Sequence, residues 1–136
     1  MTNFLLDTDT ASRLMRADRA TVSAMRRSGS TEIAISAVVQ SELLFGAQLR
    51  ADKPVIMAAV RAFLARVTIY PWDDQAAEFH AQIRAIAKAK GRSAVTFDLM
   101  IAAHARALGS TLVTSDKAIG NLKIEGLKLV SWAAKT

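Results

Sequence analysis

Short apolar runs rich in β-branched residues alternate with longer helical segments along this chain, and that alternation leaves few folds open. The runs are FLL near the start, then EIAI, VTIY, TLVT and LKLV. Each has the length of a strand rather than of a buried helix, and caps or turn formers bound most of them. Strands that alternate with helices pair in parallel, in a sheet covered on both faces. Asn3 to Leu6, Glu32 to Ile35, Val67 to Tyr70 and Thr111 to Thr114 are read as four strands, with Leu127 to Val130 as a short fifth. Between them the spacing predicts helices over Thr10 to Arg16, Arg19 to Arg27, from Ser36 through Ala47, Val55 to Arg66, from Asp73 or Asp74 to Lys90, and from Asp98 to Gly109. No linker, repeat or low-complexity stretch interrupts the 136 residues, so residues 1–136 are read as a single domain.

Four apolar runs, two at strand ends and two in helical segments, carry a carboxylate where a core has no use for one. Asp7 ends FLLD, Glu42 lies in SELLFGA, Asp98 opens FDLMIAAHARALG, and Asp116 ends TLVTSD; Asp9 is a fifth candidate. A buried acid is costly unless it is paired or holds a cation. Far apart in sequence, the four can meet only through the fold. In a parallel sheet, ligands sit beyond the carboxyl ends of the strands, and Asp7 and Asp116 each follow a strand directly. Such a set suits a hard divalent ion, Mg²⁺ or Mn²⁺, which takes oxygen ligands and acts on phosphate. Taken singly, Asp7, Asp98 and Asp116 are equally at home as helix caps, and Glu42 as a solvated helix residue.

Lys and Arg number 18 against 12 Asp and Glu, for a net charge of +6. Setting four of those acids into a pocket leaves a still more basic surface, which suits a polyanion that must also meet a cation. Cysteine is absent, which excludes disulfides and thiolate metal sites and points to the cytoplasm. MTNFLLDTDT lacks the basic start and apolar length of a signal peptide, and no run approaches the ~18 apolar residues of a membrane span. His80 and His104 have no metal-ligand partner at close spacing and are read as structural or surface residues. Trp72 and Trp132 are read as core or interface aromatics, and Arg92 as a rim cation near Asp98.

LLDTDT, ISAVVQSELLFGA, FDLMIAAHARALG and LVTSD, in this order and spacing, resemble the motifs of PIN-domain ribonucleases. More closely they resemble VapC, the toxin family of bacterial type II toxin–antitoxin pairs. The likeness runs from residue 4 to about 132 and includes IEGLKLVSW. It implies a three-layer α/β/α domain with a central, mainly parallel sheet of four to five strands, and an endoribonuclease that inhibits translation and growth by cutting a tRNA or other structured RNA. It implies Asp7, Glu42, Asp98 and Asp116 as the catalytic acids, with Asp7, Asp98 and Asp116 as ligands of Mg²⁺ or Mn²⁺. Thr8, Asp9, Thr114 and Ser115 would support the site. It also implies a cognate VapB-type antitoxin, a homodimer, and a larger assembly of toxin with antitoxin; Leu14, Met15, Val22 and Met25 would offer that partner an apolar groove. The chain departs from the family in having Asp9 where Asn is usual, Ala94 to Phe97 where a Gly-Pro pair is common, and no aromatic in KAIGNLKIEG.

Two other readings stay open at this level. LLDTDT also matches the opening of haloacid-dehalogenase-like phosphatases, with Asp7 as nucleophile and Asp9 as acid/base, although no paired acid follows a later strand. The other is a PIN module that binds RNA or protein with an impaired site.

Overall fold

The computed structural model describes residues 4–92 and 96–135. Five strands form one sheet in the order β3-β2-β1-β4-β5: β1 Phe4–Leu6, β2 Ala34–Ser36, β3 Thr68–Tyr70, β4 Thr111–Val113 and β5 Lys128–Val130. Every pairing is parallel. The helices are α1 Thr8–Met15, α2 Arg19–Ser28, α3 Ala37–Gln48, α4 Pro54–Leu64, α5 Asp74–Ala89, α6 Thr96–Leu108 and the short α7 Lys117–Asn121. They flank the sheet and give the three-layer α/β/α architecture. Asn3, Ala94 and Val95 lie outside the described residues.

Strand burial follows strand order. Leu5, Leu6, Ile35, Leu112 and Val113 on the three central strands are essentially sealed from solvent, whereas all of edge strand β5 is exposed. The chain runs from β1 outward to β2 and β3 on one side, then returns past β1 to place β4 and β5 on the other. The direction of winding therefore reverses between β1 and β4, and that is where an open α/β sheet opens a crevice at its carboxyl end. Phe4 pairs with Thr111 and Leu6 with Val113 across this seam. Asp7 N–H then donates to Val113 O at 3.1 Å, and Thr10 Oγ1 donates to the same carbonyl at 3.1 Å. The start of α1 is thereby bolted to the end of β4. The buried Trp132 packs on Phe4, ring centroids 5.5 Å apart, and holds the C-terminal segment against β1.

Several boundaries move from the sequence reading, each for a local reason. Helix α1 starts at Thr8 rather than Thr10, because Asp7 caps it by accepting from Thr10 N–H at 2.8 Å. Ser36 ends β2 and also caps α3 through Val38 N–H at 3.1 Å, so that strand shifts later than Glu32 to Ile35. Helix α6 starts at Thr96, two residues before Asp98, which therefore lies inside its first turn rather than at its cap. Asp73, not Asp74, caps α5. Helix α7 was not expected; Asp116 nucleates it by accepting from Ala118 N–H at 2.9 Å. No described helix is long and apolar enough to cross a membrane.

His104 is a core residue with 1 % of its surface exposed, and its Nδ1 finds no hydrogen-bond partner. Burial pushes its imidazole below the ordinary 6.5, and Asp73 opposes this only in part. As pH falls, the unfolded chain takes up this proton first, so stability is full above about pH 6.5 and declines from there toward the lower folded value. Urea midpoints at about pH 7.5 and about pH 5.5 should differ less for His104→Gln than for the native chain. An identical pH dependence in the two proteins would contradict this assignment.

Candidate active site

A cleft of about 560 Å³ opens at the carboxyl ends of β1 and β4, lined by Asp7, Thr8, Asp9, Ser12, Asp98, Ser115 and Asp116. Three of the four sequence-predicted acids thus face one cavity, each delivered by a different element. Asp7 comes from the β1–α1 junction, Asp98 from the first turn of α6, and Asp116 from the β4–α7 junction. Asp7 and Asp116 each spend one oxygen, Oδ1, on a helix cap, so capping and facing the cleft are compatible roles.

Glu42 sits one step back. It lies in the second turn of α3, half-buried, and lines the neighbouring groove together with Thr8 and Ser12. Thr8 Oγ1 donates to Glu42 Oε1 at 2.5 Å, linking the fourth acid to the wall of the acidic cleft. Thr114 is buried, and its Oγ1 accepts from Asp116 N–H at 3.0 Å, which fixes the turn that carries Asp116. Ser115 lines the cleft while its hydroxyl meets that of Ser131 at 3.1 Å. Asp9 lines the rim, but its carboxylate is tied to Arg13 Nε at 2.9 Å one helical turn away.

Ser12 was not singled out in the sequence. The signal was present: Thr8 and Ser12 stand four residues apart on α1, hence on one helix face. Arg92 lines a separate cleft beside α6 rather than the acidic one. Leu14 and Met15 line an apolar hollow with Phe63 and Val67, whereas Met25 packs against the core. Trp72 is half-buried and donates its Nε1–H to Met100 O at 3.0 Å, which braces α6 near Asp98.

The electrostatics join the four acids. Burial raises the Asp98 carboxyl above the ordinary 3.8, and the charges of Asp116, Glu42 and Asp7, in that order, raise it further. No described Arg or Lys forms a salt bridge with Asp7, Glu42, Asp98 or Asp116; the ion pairs among the described residues are Arg13–Asp9 and Arg50–Asp52. Nor do three or more His, Asp or Glu side chains close into a ready metal cage among the described residues. What the cleft offers is an open rim of carboxylate and hydroxyl oxygens with uncompensated negative charge. That donor set fits a hard divalent ion that keeps several waters and needs few protein ligands.

The PIN domain model matches residues 4–125. The chain belongs to the PIN-domain family and, within it, to the VapC branch. It is 31% identical over 133 residues to a tRNA(fMet)-specific endonuclease VapC of Shigella flexneri, covering 98% of this chain and all of the other. Among solved structures, it superposes on a DNA-bound VapBC complex from Salmonella typhimurium with a TM-score of 0.86 at 28% identity, covering 98% of this chain and 100% of the other. VapBC2 from Rickettsia felis, bound to a DNA fragment from its promoter, gives 0.85 at 25% identity, covering 97% and 100%.

Proposed function

We propose that this chain is a metal-dependent endoribonuclease, the toxin of a VapBC-type pair, and that a tRNA or another structured RNA is its substrate. The observation that carries the chemistry is the cleft itself: Asp7, Asp98 and Asp116, from three different elements, line one cavity, and Glu42 is tied to its wall through Thr8. The substrate class follows from the named activity of the relatives.

Mg²⁺ or Mn²⁺, when bound, supplies a Lewis acid for the phosphoryl oxygens and a water of lowered pKa. Asp7, Asp98 and Asp116 would hold it, and Glu42, behind Thr8, would orient the attacking water. Hydrolysis joins the water oxygen to phosphorus and breaks the P–O3′ bond, leaving a 5′-phosphate and a 3′-hydroxyl. No side-chain nucleophile is needed, and neither histidine lines the cleft. The phosphatase alternative is not favoured: Asp9, its acid/base, is paired with Arg13, and the chain is a PIN domain.

A VapB-type antitoxin fits the groove beside the site. Met15, Leu43, Ala47, Val55, Ile56 and Val60 give it apolar walls, and Glu42 stands at the acidic cleft end. The chain is expected to pair with a second copy of itself as a homodimer.

The test is incubation of the purified chain with tRNA, first with EDTA and then with Mn²⁺ in excess. The expected result is cleavage that is absent in chelator and restored by the ion. Cleavage that persists in chelator would overturn the metal-dependent mechanism, and intact RNA in Mn²⁺ would overturn the assignment of tRNA as substrate.

A further inference from the structure

A second cleft, of about 440 Å³, lies between α5 and the first turn of α6, lined by Ala81, Arg84, Ala85, Lys88, Arg92 and Thr96 among others. Its lining includes three cations and no acid. Arg84 and Lys88 stand one turn apart on α5, about 6 Å along the axis. Arg92 follows the left-handed turn at Gly91, held there by its N–H to Ala87 O at 2.9 Å. All three side chains are exposed, and none forms a salt bridge with a described carboxylate. The helix dipole accounts for Lys88 in the last turn of α5 but not for Arg84, one turn earlier. Ala81 and Ala85, also one turn apart, leave the floor between them low.

This cleft and the acidic one share the start of α6. Thr96 and Leu99 line the first and Asp98 lines the second, so the two meet at a single helical turn. In that turn Phe97 leaves 49 % of its surface exposed. Cations without a described carboxylate partner, next to a helical turn that exposes an aromatic, are the combination that holds single-stranded nucleic acid: the cations track phosphates and a base stacks on the ring. An acidic protein segment would use the cations but has no need of the aromatic.

We propose that Arg84, Lys88 and Arg92 form a phosphate track that guides the RNA strand past Phe97 into the acidic cleft. The proposal rests on the ribonuclease reading for its substrate, and its test does not depend on cleavage. The background is Asp7→Asn, which blocks turnover, and the ligand is a labelled single-stranded oligoribonucleotide of mixed sequence, its affinity measured across a salt series. Arg84→Ala/Lys88→Ala/Arg92→Ala should weaken binding about tenfold or more and flatten the log–log salt dependence by about 2, three phosphate contacts at roughly 0.7 each. The charge-matched control Arg19→Ala/Arg26→Ala/Arg27→Ala, on exposed positions of α2, should leave the slope nearly intact. Equal slopes for the triple variant and its parent would overturn the track, as would an equal loss in the control. If the triple variant instead loses only the antitoxin, the stripe belongs to a protein interface and the proposal fails. Failure of the native chain to cleave RNA would count against the proposed function alone, since binding is read separately.

Discussion

Asp98→Asn should abolish RNA cleavage and at the same time make the metal-free protein more stable. The folded chain holds this carboxyl above its ordinary value, because burial and the charges of Asp116, Glu42 and Asp7 disfavour its ionised form. For a group with a raised folded pKa, the associated stability is present below the unfolded value and is lost as pH rises through the folded one. At neutral pH the native chain therefore carries repulsion that an amide of the same shape removes. In chelator, the variant should melt a few degrees higher by calorimetry. Cleavage should fall on the order of a thousandfold, the equivalent of about 4 kcal/mol of lost transition-state stabilisation. A variant that melts lower in chelator, or that cleaves as the native chain does, would contradict the role given to Asp98.

Asp7 separates ligand from cap. Its Oδ1 accepts the Thr10 N–H that starts α1, and an asparagine keeps that acceptor. Asp7→Asn should fold with nearly native stability and lose cleavage by a factor similar to that for Asp98→Asn. Asp7→Ala should lose cleavage and also about 1 kcal/mol of stability, since the cap goes with the charge. Urea unfolding of the pair, read beside RNA cleavage, checks both parts. Equal stability of the two variants would mean that the cap is idle, and retained cleavage in Asp7→Asn would mean that the charge is.

The sheet was legible because each strand is a short apolar run, most with a cap or turn former beside it, and the acids were legible because Asp7 and Asp116 follow such runs while Glu42 and Asp98 break apolar helical segments. Asp7, Asp98 and Asp116 meet where the winding reverses between β1 and β4, a position that strand order alone defines and no local pattern reveals. The setback of Glu42 behind Thr8 depends on how α1 packs on α3, a tertiary contact with no local signature. Helix α7 escaped notice because it is one short turn, nucleated by an Asp whose apparent purpose lay elsewhere. His104 sits in an alanine-rich helix whose apolar residues nearly encircle it, so periodicity did not tell its buried face from its exposed one.

These carboxylates together are expected to hold a divalent cation. A calorimetric titration of Mn²⁺ into the native chain and into Asp98→Asn tests it most directly, with no RNA present. Saturable binding to the native chain that is lost in the variant is the predicted result. Equal binding by both proteins, or none by the native chain, would contradict it.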